Sequence, residues 1–469
     1  NDTITSYGGN DTILGGDGND SIDGGPGNDS IDGGAGNDAV AMTSAQLTAN
    51  DTVSGGEGTD TFAYTAYVAA GNAVAAQSRI SAFEILEMGD TDTASVDVTL
   101  TNYINNTGFT EIHLGTQGTI TDGFEFINAS SSLNTVSAIA AVAGTHIFDR
   151  LVDTSADSLT VRNASTGAGA ASTFTAFTAL DEETITLTAT VGTTAGSNDL
   201  TITTLTVADL TTLNINSASD VIITNAIAGS AALRTVNATA STGAVTVNVA
   251  NAGAGVTMTG NANGTAVTTF TGSTFADTIT GGGGADVLRG GGGADSISGG
   301  AGADALDGGI GADAISGGAG VDTFTQDRGD SVTQSAIVVT ASGNAAGNAD
   351  DITLSSFRFA NGVDVITNFA AEDIIGGDYL TDNALPDFIA GTGNDNLFNE
   401  LASADSVLVY GTWNATTNTF VAAAGFNATT AKDAMITEAT AATVVGITNS
   451  NAFIVTGLTT ALAAGNFDV

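Results

Sequence analysis

Residues 281–324 read GGGGADVLR GGGGADSIS GGAGADALD GGIGADAIS GGAGVDTF, which is one nine-residue pattern in five consecutive copies. Each copy has glycine at positions one, two and four, aspartate at position six and an apolar residue at position eight. A fixed period of this kind indicates stacked small units rather than one globular core. The glycines favour a tight turn, and the single apolar position favours a short strand whose side chain faces inward.

The pattern occurs in two separate blocks. The second block places aspartates nine residues apart at Asp277, Asp286, Asp295, Asp304, Asp313 and Asp322. The first block has the same spacing at Asp2, Asp11, Asp20, Asp29 and Asp38, and a further unit, Gly55–Phe62, contains Asp60. Ser6 and Tyr7 replace one glycine pair, and Asp51 follows Asp38 by thirteen residues. The first block is therefore less regular, and its nine-residue spacing is interrupted between Asp38 and Asp51.

Two units of nine residues predict one solenoid turn of eighteen, and such turns stack at a strand spacing of about 4.8 Å. Aspartates eighteen residues apart then face each other along one edge. The predicted pairs are Asp277/Asp295, Asp286/Asp304, Asp295/Asp313, Asp304/Asp322, Asp2/Asp20, Asp11/Asp29 and Asp20/Asp38. With glycine carbonyls from both turns, each pair predicts an oxygen cage of about six ligands, which suits Ca²⁺.

The pattern Gly-Gly-x-Gly-x-Asp-x-apolar-x resembles the calcium-binding nonapeptide repeat of the RTX family. The resemblance implies that the glycines at positions two and four and the aspartate of each unit bind several Ca²⁺ ions. In the first block these residues are Asp2, Asp11, Gly16, Gly18, Asp20, Gly25, Gly27, Asp29, Gly34, Gly36, Asp38, Gly56, Gly58 and Asp60. In the second block they are Asp277, Gly282, Gly284, Asp286, Gly291, Gly293, Asp295, Gly300, Gly302, Asp304, Gly309, Gly311, Asp313, Gly318, Gly320 and Asp322. It further implies type I secretion, folding on extracellular calcium and an uncleaved C-terminal secretion signal.

Charge and cysteine content narrow the possible partners. Lys and Arg number 8 against 51 Asp and Glu, and the formal net charge is −43. Such a chain repels nucleic acid and anionic membrane surfaces, so we expect no nucleic-acid partner. It has no cysteine, and bound metal is then the alternative staple. The chain begins within a repeat, so we expect residues upstream of it and an anchor there to surface polysaccharide or lipopolysaccharide.

The predicted fold is all-β, a parallel β-roll or β-solenoid with two RTX blocks and a β-rich C-terminal cap. The expected domains are the first block, 1–62; a Thr/Ala/Asn-rich, solenoid-like body, 63–275; the second block, 276–325; and the cap with its secretion signal, 326–469. Short alternating strands such as Val245–Val249 favour a solenoid in the body. A β-sandwich stays open for residues 63–200.

The cap contains several weaker patterns. Val407–Tyr410 and Thr419–Val421 predict a hairpin, and a helix is expected near Thr430–Ala442. Gly391–Leu397 is a degenerate unit, and Asn451–Leu458 predicts a final strand.

Catalytic equipment is sparse. The two histidines are His113 and His146, and the sequence has neither a His-Glu-x-x-His nor a Gly-x-Ser-x-Gly motif, which excludes metalloprotease and lipase classes. His146, with Asp149 and Arg150 nearby, is the one candidate for a polysaccharide-acting enzyme, although a structural role is expected. Glu182 and Glu183 are expected at a solvated strand edge rather than as a catalytic pair.

The β-rich body beside the repeats, with stretches such as Ala82–Met88 and Asp220–Thr224, is similar to bacterial S-layer proteins of the RTX class. This resemblance implies a non-enzymatic, extracellular cell-surface protein whose main partner is itself, in a two-dimensional lattice. Two alternatives stay open: the C-terminal region of an RTX adhesin, and the calcium-dependent tail of a polysaccharide-acting enzyme.

Overall fold

The structure, a computed structural model, describes residues 1–325 except 44, 68–76, 78, 91–95, 104, 107, 116–122, 140–141, 143, 166–170, 191–198 and 262–265; farther along it describes 357–358, 364–367, 374–376, 387–388, 406–416, 419–422, 433–438, 452–456, 458 and 462. The chain divides into two compact units, Asn1–Asn251 and Ala252–Val469. Every element whose bounds are described is a β-strand, apart from one turn of 3-10 helix at Leu100–Asn102. Within the described residues, no helix is long and apolar enough to span a bilayer.

The first unit consists of short strands of three to eight residues with one strand of two. They are β1 Thr3–Thr5, β2 Thr12–Asp17, β3 Ser21–Asp23, β4 Ser30–Ala35, β5 Ala39–Thr43, β6 Thr52–Glu57, β7 Thr61–Tyr67, β8 Ile80–Ser81, β9 Ile85–Asp90, β10 Val96–Thr99, β11 Glu111–Leu114, β12 Phe124–Ala129, β13 Thr135–Ala138, β14 Thr145–Arg150, β15 Ser158–Asn163, β16 Ser172–Ala179, β17 Thr184–Ala189, β18 Leu200–Thr206, β19 Thr212–Ile215, β20 Val221–Ile223, β21 Thr235–Asn237 and β22 Val245–Asn248.

Successive strands of the first unit alternate between sheets, and every pairing described within the unit is parallel. The odd-numbered strands from β1 to β21 form one continuous ladder. The even-numbered strands form two shorter ladders, β2 to β8 and β10 to β22. This is a parallel β-solenoid, which confirms the predicted fold class. A β-sandwich is built from antiparallel strands, so that alternative is wrong for the described strands of residues 63–200.

The core of the first unit is a column of stacked apolar side chains. One column along the odd-numbered strands consists of Ile22, Val40, Phe62, Leu86, Ile112, Val136 and Val161, each at most 1% exposed. The apolar position of each repeat therefore faces inward, as the pattern predicts. Each residue contacts its counterpart one turn away because the parallel register holds equivalent positions in line.

The second unit begins with the same type of strand and ends differently. Its strands are β23 Thr257–Thr259, β24 Thr268–Thr271, β25 Thr278–Gly282, β26 Val287–Gly293, β27 Ser296–Ala301, β28 Ala305–Gly311, β29 Ala314–Ala319, β30 Thr323–Thr325, β31 Phe357–Arg358, β32 Asp364–Thr367, β33 Ile374–Gly376, β34 Asp387–Phe388, β35 Ser406–Asn414, β36 Thr419–Ala422, β37 Asp433–Glu438 and β38 Ala452–Val455.

The repeat strands of the second unit form two parallel ladders with a register of eighteen residues. Thr278 pairs with Ser296, which pairs with Ala314, and Val287 pairs with Ala305 in the other ladder. The ladders continue past the repeats, since β29 pairs with β32 and β30 with β33, both parallel. Two nonapeptides per turn, as the spacing predicts, is therefore the observed geometry.

Antiparallel pairing appears only towards the C-terminal end of the described strands. β35 and β36 form a hairpin in which Thr412 pairs with Val421, but its first strand uses Gly411–Asn414. The predicted first strand, Val407–Tyr410, pairs with β37 instead. The predicted final strand is β38, which pairs with β32 in parallel and with β37 in antiparallel orientation. The degenerate unit Gly391–Leu397 lies outside the described residues.

The helix expected near Thr430–Ala442 is wrong for its described part. Residues Asp433–Glu438 form strand β37 instead. This strand is hydrogen-bonded along both edges, to β35 and to β38. Pairing on two edges outweighs the helix preference of an Ala-rich segment, because intrinsic propensity amounts to only about 0.7 kcal/mol per residue or less.

Candidate calcium sites

The aspartates of the second block form two rows, each linked by one repeated hydrogen bond. The backbone N–H of each aspartate donates to Oδ1 of the aspartate one turn later. The N–Oδ1 distances are 2.7 Å for Asp277/Asp295, 2.8 Å for Asp286/Asp304, 2.8 Å for Asp295/Asp313 and 3.0 Å for Asp304/Asp322. All four predicted pairs of this block are therefore brought together.

The first block has the same rows, and they run farther than the regular spacing indicates. The three predicted pairs have N–Oδ1 distances of 2.5 Å for Asp2/Asp20, 3.0 Å for Asp11/Asp29 and 2.8 Å for Asp20/Asp38. The bond then recurs over 22 residues, at 2.6 Å for Asp29/Asp51 and 2.7 Å for Asp38/Asp60. The insertion before Asp51 lengthens one turn without interrupting the rows. Sequence reasoning missed this, although the nine-residue spacing from Asp51 to Asp60 was a signal.

Most of these carboxylates are buried, and several of them have one oxygen without a hydrogen-bond partner among the described residues. Asp2 is exposed and Asp11 half-buried, whereas the other aspartates of the rows, in both blocks, are at most 3% exposed. Oδ2 has no hydrogen-bond partner among the described residues in Asp20, Asp29, Asp38, Asp60, Asp286, Asp295 and Asp304. A buried carboxylate without compensation is costly. These oxygens therefore indicate a cation.

The electrostatics of the rows lead to the same conclusion. Burial raises the pKa of Asp295 to about 7, and the neighbouring Asp313 and Asp277 carboxylates add to the rise against a hydrogen bond from the Asp277 backbone. Burial likewise raises the pKa of Asp286 and of Asp304 to about 6, and that of Asp29 and Asp60 above the ordinary range. Stacked like charges favour protonation, and a bound divalent cation would remove that pressure.

The glycines predicted at positions two and four adopt conformations that other residues rarely reach. Their φ angles lie between +69° and +145° at Gly16, Gly18, Gly25, Gly34, Gly36, Gly56, Gly58, Gly282, Gly291, Gly293, Gly300, Gly302, Gly309, Gly318 and Gly320. Gly27, Gly284 and Gly311 are required for space instead: a Cβ there would lie 1.5–2.0 Å from a backbone carbonyl oxygen one turn away. These positions bring backbone carbonyls of successive turns into line.

The glycine at position one creates the space beside the unpartnered oxygen, and sequence reasoning did not assign it to the site. A Cβ on Gly290 would lie 2.3 Å from Asp295 Oδ2 and 2.4 Å from the Gly308 carbonyl oxygen. The same arrangement recurs at Gly281 and Gly299. The signal was present, since every complete unit begins with glycine.

Units that lack the full glycine pattern satisfy their aspartate internally. Ser273 donates to Asp277 Oδ2 from its backbone N–H at 2.6 Å and from its hydroxyl at 3.0 Å. The Ser6 hydroxyl donates to Asp11 Oδ2, and the Thr48 N–H donates to Asp51 Oδ2. In these three units a protein donor occupies the Oδ2 atom that has no hydrogen-bond partner among the described residues in Asp20, Asp29, Asp38, Asp60, Asp286, Asp295 and Asp304. Asp11 and Asp277, both predicted ligands, therefore differ from Asp29 and Asp295, their neighbours in the rows.

The donor set fits Ca²⁺. Complete units offer buried carboxylate oxygens beside aligned glycine carbonyls, and hard oxygen ligands in a flexible arrangement are what Ca²⁺ binds. The described residues contain no group of three or more His, Cys, Asp or Glu placed to hold a metal. A cation between two turns would therefore take its remaining ligands from backbone carbonyls. When bound, it neutralises the stacked carboxylates and joins consecutive turns.

The candidate enzymatic residues form hydrogen bonds, ion pairs and ring contacts within the body. His146 is 1% exposed, accepts a hydrogen bond from the Phe124 N–H at 3.3 Å and packs edge-on against Phe174. Arg150 instead binds Glu182, with Nε 2.6 Å from Oε1. Glu182 is fully buried, so its expected place at a solvated edge is wrong: the turn folds it inward to neutralise Arg150. His113 lies 2.9 Å from Glu111 on the same strand.

Comparison with known families agrees with this geometry. A model described as the RTX calcium-binding nonapeptide repeat (4 copies) matches residues 1–40, 48–64, 264–297, 271–306 and 289–324. No curated protein matches the chain. The matched residues coincide with the rows of buried aspartates. The two blocks are therefore RTX calcium-binding nonapeptide repeats, and such repeats indicate a calcium-binding protein of the secreted type.

Proposed function

We propose that this chain is a structural cell-surface protein that folds on binding calcium and assembles with copies of itself into a two-dimensional S-layer lattice. The observation that carries the proposal is the rows of buried, partly unpartnered carboxylates, which in the first unit belong to the same parallel stack as the body. Calcium then controls whether this stack forms, because metal binding to such a site is coupled to folding.

The described body supports a scaffold rather than an enzyme. Its strongest polar interactions join one turn to another, as the buried Arg150–Glu182 ion pair does, and its buried histidine lies between aromatic rings. These groups are used for stacking, and no polymer substrate could reach His146 without rearrangement. The reading as the tail of a polysaccharide-acting enzyme therefore gains no support from His146.

Charge supports calcium-dependent assembly. A formal net charge of −43 makes copies of the chain repel one another, and this repulsion keeps them apart in solution. Divalent cations reduce the repulsion, so folding and association share one requirement. In a calcium-poor cytosol the chain stays unfolded and suited to type I export, and outside the cell calcium folds it.

The experiment follows association as calcium is added. The purified chain is held in EGTA and then given either Ca²⁺ or an equal concentration of Mg²⁺; light scattering and negative-stain electron microscopy follow its assembly. We expect ordered sheets with Ca²⁺ only, dispersed again by EGTA. A chain that becomes folded by circular dichroism and yet stays monomeric in saturating Ca²⁺ would contradict the lattice. That outcome would favour the alternative, an RTX adhesin region that binds a surface or a sugar as a single copy.

A further inference from the structure

One row of the first block continues beyond its last nine-residue unit. Asp20, Asp38 and Asp60 are linked by the repeated N–H to Oδ1 bond. The Asp60 N–H in turn donates to Oε2 of Glu84 at 2.8 Å. Glu84 lies 24 residues after Asp60, outside the residues that match the repeat. A glutamate therefore takes the place in the row that an aspartate holds in every earlier turn.

The backbone around Glu84 repeats the close approach seen in the complete units. A Cβ on Gly33 would lie 2.3 Å from the Gly55 carbonyl oxygen and 2.6 Å from Asp38 Oδ2. One turn later, a Cβ on Gly55 would lie 2.1 Å from the Ala82 carbonyl oxygen and 2.8 Å from Asp60 Oδ2. Ala82 thus presents its carbonyl where the preceding turn presents that of a position-one glycine.

The segment between the Ala82 carbonyl and the acidic residue is short, and the longer glutamate side chain compensates. Gly55 precedes its acidic residue by five positions, whereas Ala82 precedes Glu84 by two. Glutamate has one more methylene than aspartate, so its carboxylate reaches the row from this shortened segment. Ala82 has φ +55°, in the left-handed region that disfavours residues with a Cβ. Such a conformation persists where the surrounding structure requires it.

The Asp60 carboxylate also indicates a cation at this position. Asp60 is fully buried, and its Oδ2 has no hydrogen-bond partner among the described residues. This oxygen faces Gly55 and thus the side on which the Ala82 carbonyl lies. We propose that Asp60 and Glu84, with the Ala82 carbonyl, bind a further Ca²⁺ ion at the end of the row, outside the nonapeptide pattern. The proposal rests on the calcium-dependent folding proposed above.

Such an ion would connect the repeat block to the body of the first unit. The Glu84 carbonyl accepts hydrogen bonds from the N–H groups of Thr110 at 2.8 Å and Glu111 at 3.2 Å. Order imposed on Glu84 by the ion therefore reaches the next turn of the body. The site therefore lies between the last repeat turn, which contains Asp60, and the following turn of the body, which contains Glu84.

Counting bound calcium ions by native mass spectrometry of the full chain tests the site. Glu84→Gln should bind one Ca²⁺ fewer than the wild type, and Glu84→Asp should lose the same ion because its side chain is too short. Glu57→Gln is the matched control. Glu57 is exposed and lies three residues from Asp60, and its substitution removes the same charge. If Glu84→Gln binds as many ions as the wild type, this site is overturned. If the wild type binds no calcium, the proposed function fails instead.

A second measurement needs no variant and so does not depend on how a variant folds. Wild-type crystals soaked in Tb³⁺, which replaces Ca²⁺ at oxygen sites, should show an anomalous peak between the Asp60 and Glu84 carboxylates. Peaks along the aspartate rows with none between these two side chains would overturn the site and leave the proposed function standing.

Discussion

The repeat turns and the body turns of the first unit share one architecture and differ in what satisfies their polar groups. Both are parallel stacks, with a turn of 18 residues between Thr3 and Ser21 and of 26 residues between Ser158 and Thr184. The repeat turns leave carboxylate oxygens without a partner. Body turns are joined by side-chain hydrogen bonds, as where Asn106 donates to the Phe83 carbonyl at 2.9 Å and accepts from its N–H at 2.7 Å.

Arg150 is a second body side chain that joins several turns. Its guanidinium donates to Glu182, to the Leu133 carbonyl at 2.7 Å and to the Ser158 carbonyl at 2.9 Å. One side chain thus does for several turns what a cation would do between repeat turns. The comparison teaches that turns of one parallel architecture can be joined in two ways. Body turns use side-chain donors, whereas the short glycine-rich turn depends on a cation, because glycines supply space and carbonyls but no side-chain donor.

The largest expected effect comes from removing two central carboxylates of the second block. Asp295 and Asp304 each belong to two of its four pairs, so Asp295→Ala with Asp304→Ala disrupts all four. We expect the calcium-dependent gain of β-structure from the second block to disappear in far-UV circular dichroism. The control pair Asp32→Ala with Asp307→Ala removes two aspartates outside the rows and should respond like the wild type. A normal calcium response in the first variant would contradict the stacked-pair model.

The second effect should be large and independent of calcium occupancy. Arg150→Met leaves Glu182 buried without its partner, and removing one member of a buried ion pair costs about 3–5 kcal/mol. Urea unfolding in saturating Ca²⁺ measures the free energy of unfolding. Exposed Arg234→Met is the matched control, and adding Glu182→Leu should restore much of the loss. A loss below about 1 kcal/mol, the range of a surface pair, would show that the body does not depend on this ion pair.

The third effect is local to one cage. A methyl group at Gly290 would lie 2.3 Å from Asp295 Oδ2, so Gly290→Ala displaces the carboxylate. We expect calcium affinity to fall about ten- to a hundred-fold, as for other changes that misplace a metal ligand, measured by calorimetric titration. Gly292→Ala is the control, since its nearest neighbour would be 3.6 Å away. Equal affinities in the two variants would remove position one from the site.

The smallest effect concerns pH and the body. Burial alone would raise the pKa of Glu111, but hydrogen bonds from His113, Ser137 and Arg162 lower it from 4.5 to about 2. Because the folded pKa is depressed, the carboxylate stabilises the fold above its unfolded pKa, and this contribution is lost as pH falls from 4.5 towards 2. Glu111→Gln should cost about 1 kcal/mol at pH 7. The difference in free energy of unfolding between this variant and the wild type should decrease as the pH is lowered. A difference that does not change with pH would show that the Glu111 charge does not stabilise the fold.

The structure of the repeats could be predicted because their period fixes the register between turns. Nine-residue spacing gave the eighteen-residue register, the inward apolar positions and the facing aspartates, and each of these appears in the structure. The site was less readable where the period lapses. Asp51 and Glu84 join the rows after turns of irregular length. Inserted residues lengthen a turn without separating the side chains that are neighbours in space, but they break the regular spacing on which a sequence prediction depends.

Two predictions, one in the body and one in the cap, were wrong for a different reason. The expected helix near Thr430–Ala442 has strand β37 where it is described, and Glu182 is buried rather than solvated. In both cases the partner lies far away in the sequence, as β35 does for β37 and Arg150 does for Glu182. Local propensity carries no information about such partners.

By itself, the sequence determined the parallel stack in the repeats, the burial of one apolar residue per unit and the oxygen character of the metal site. These follow from local rules, since glycine permits the turn and a fixed period aligns equivalent residues. Only the tertiary structure decided which aspartates lack a partner. Ser273 satisfies Asp277, whereas Asp295 Oδ2 has only glycine beside it. That distinction depends on a hydrogen bond within one unit, from Ser273 to the aspartate four residues later, which the spacing of the aspartates does not encode.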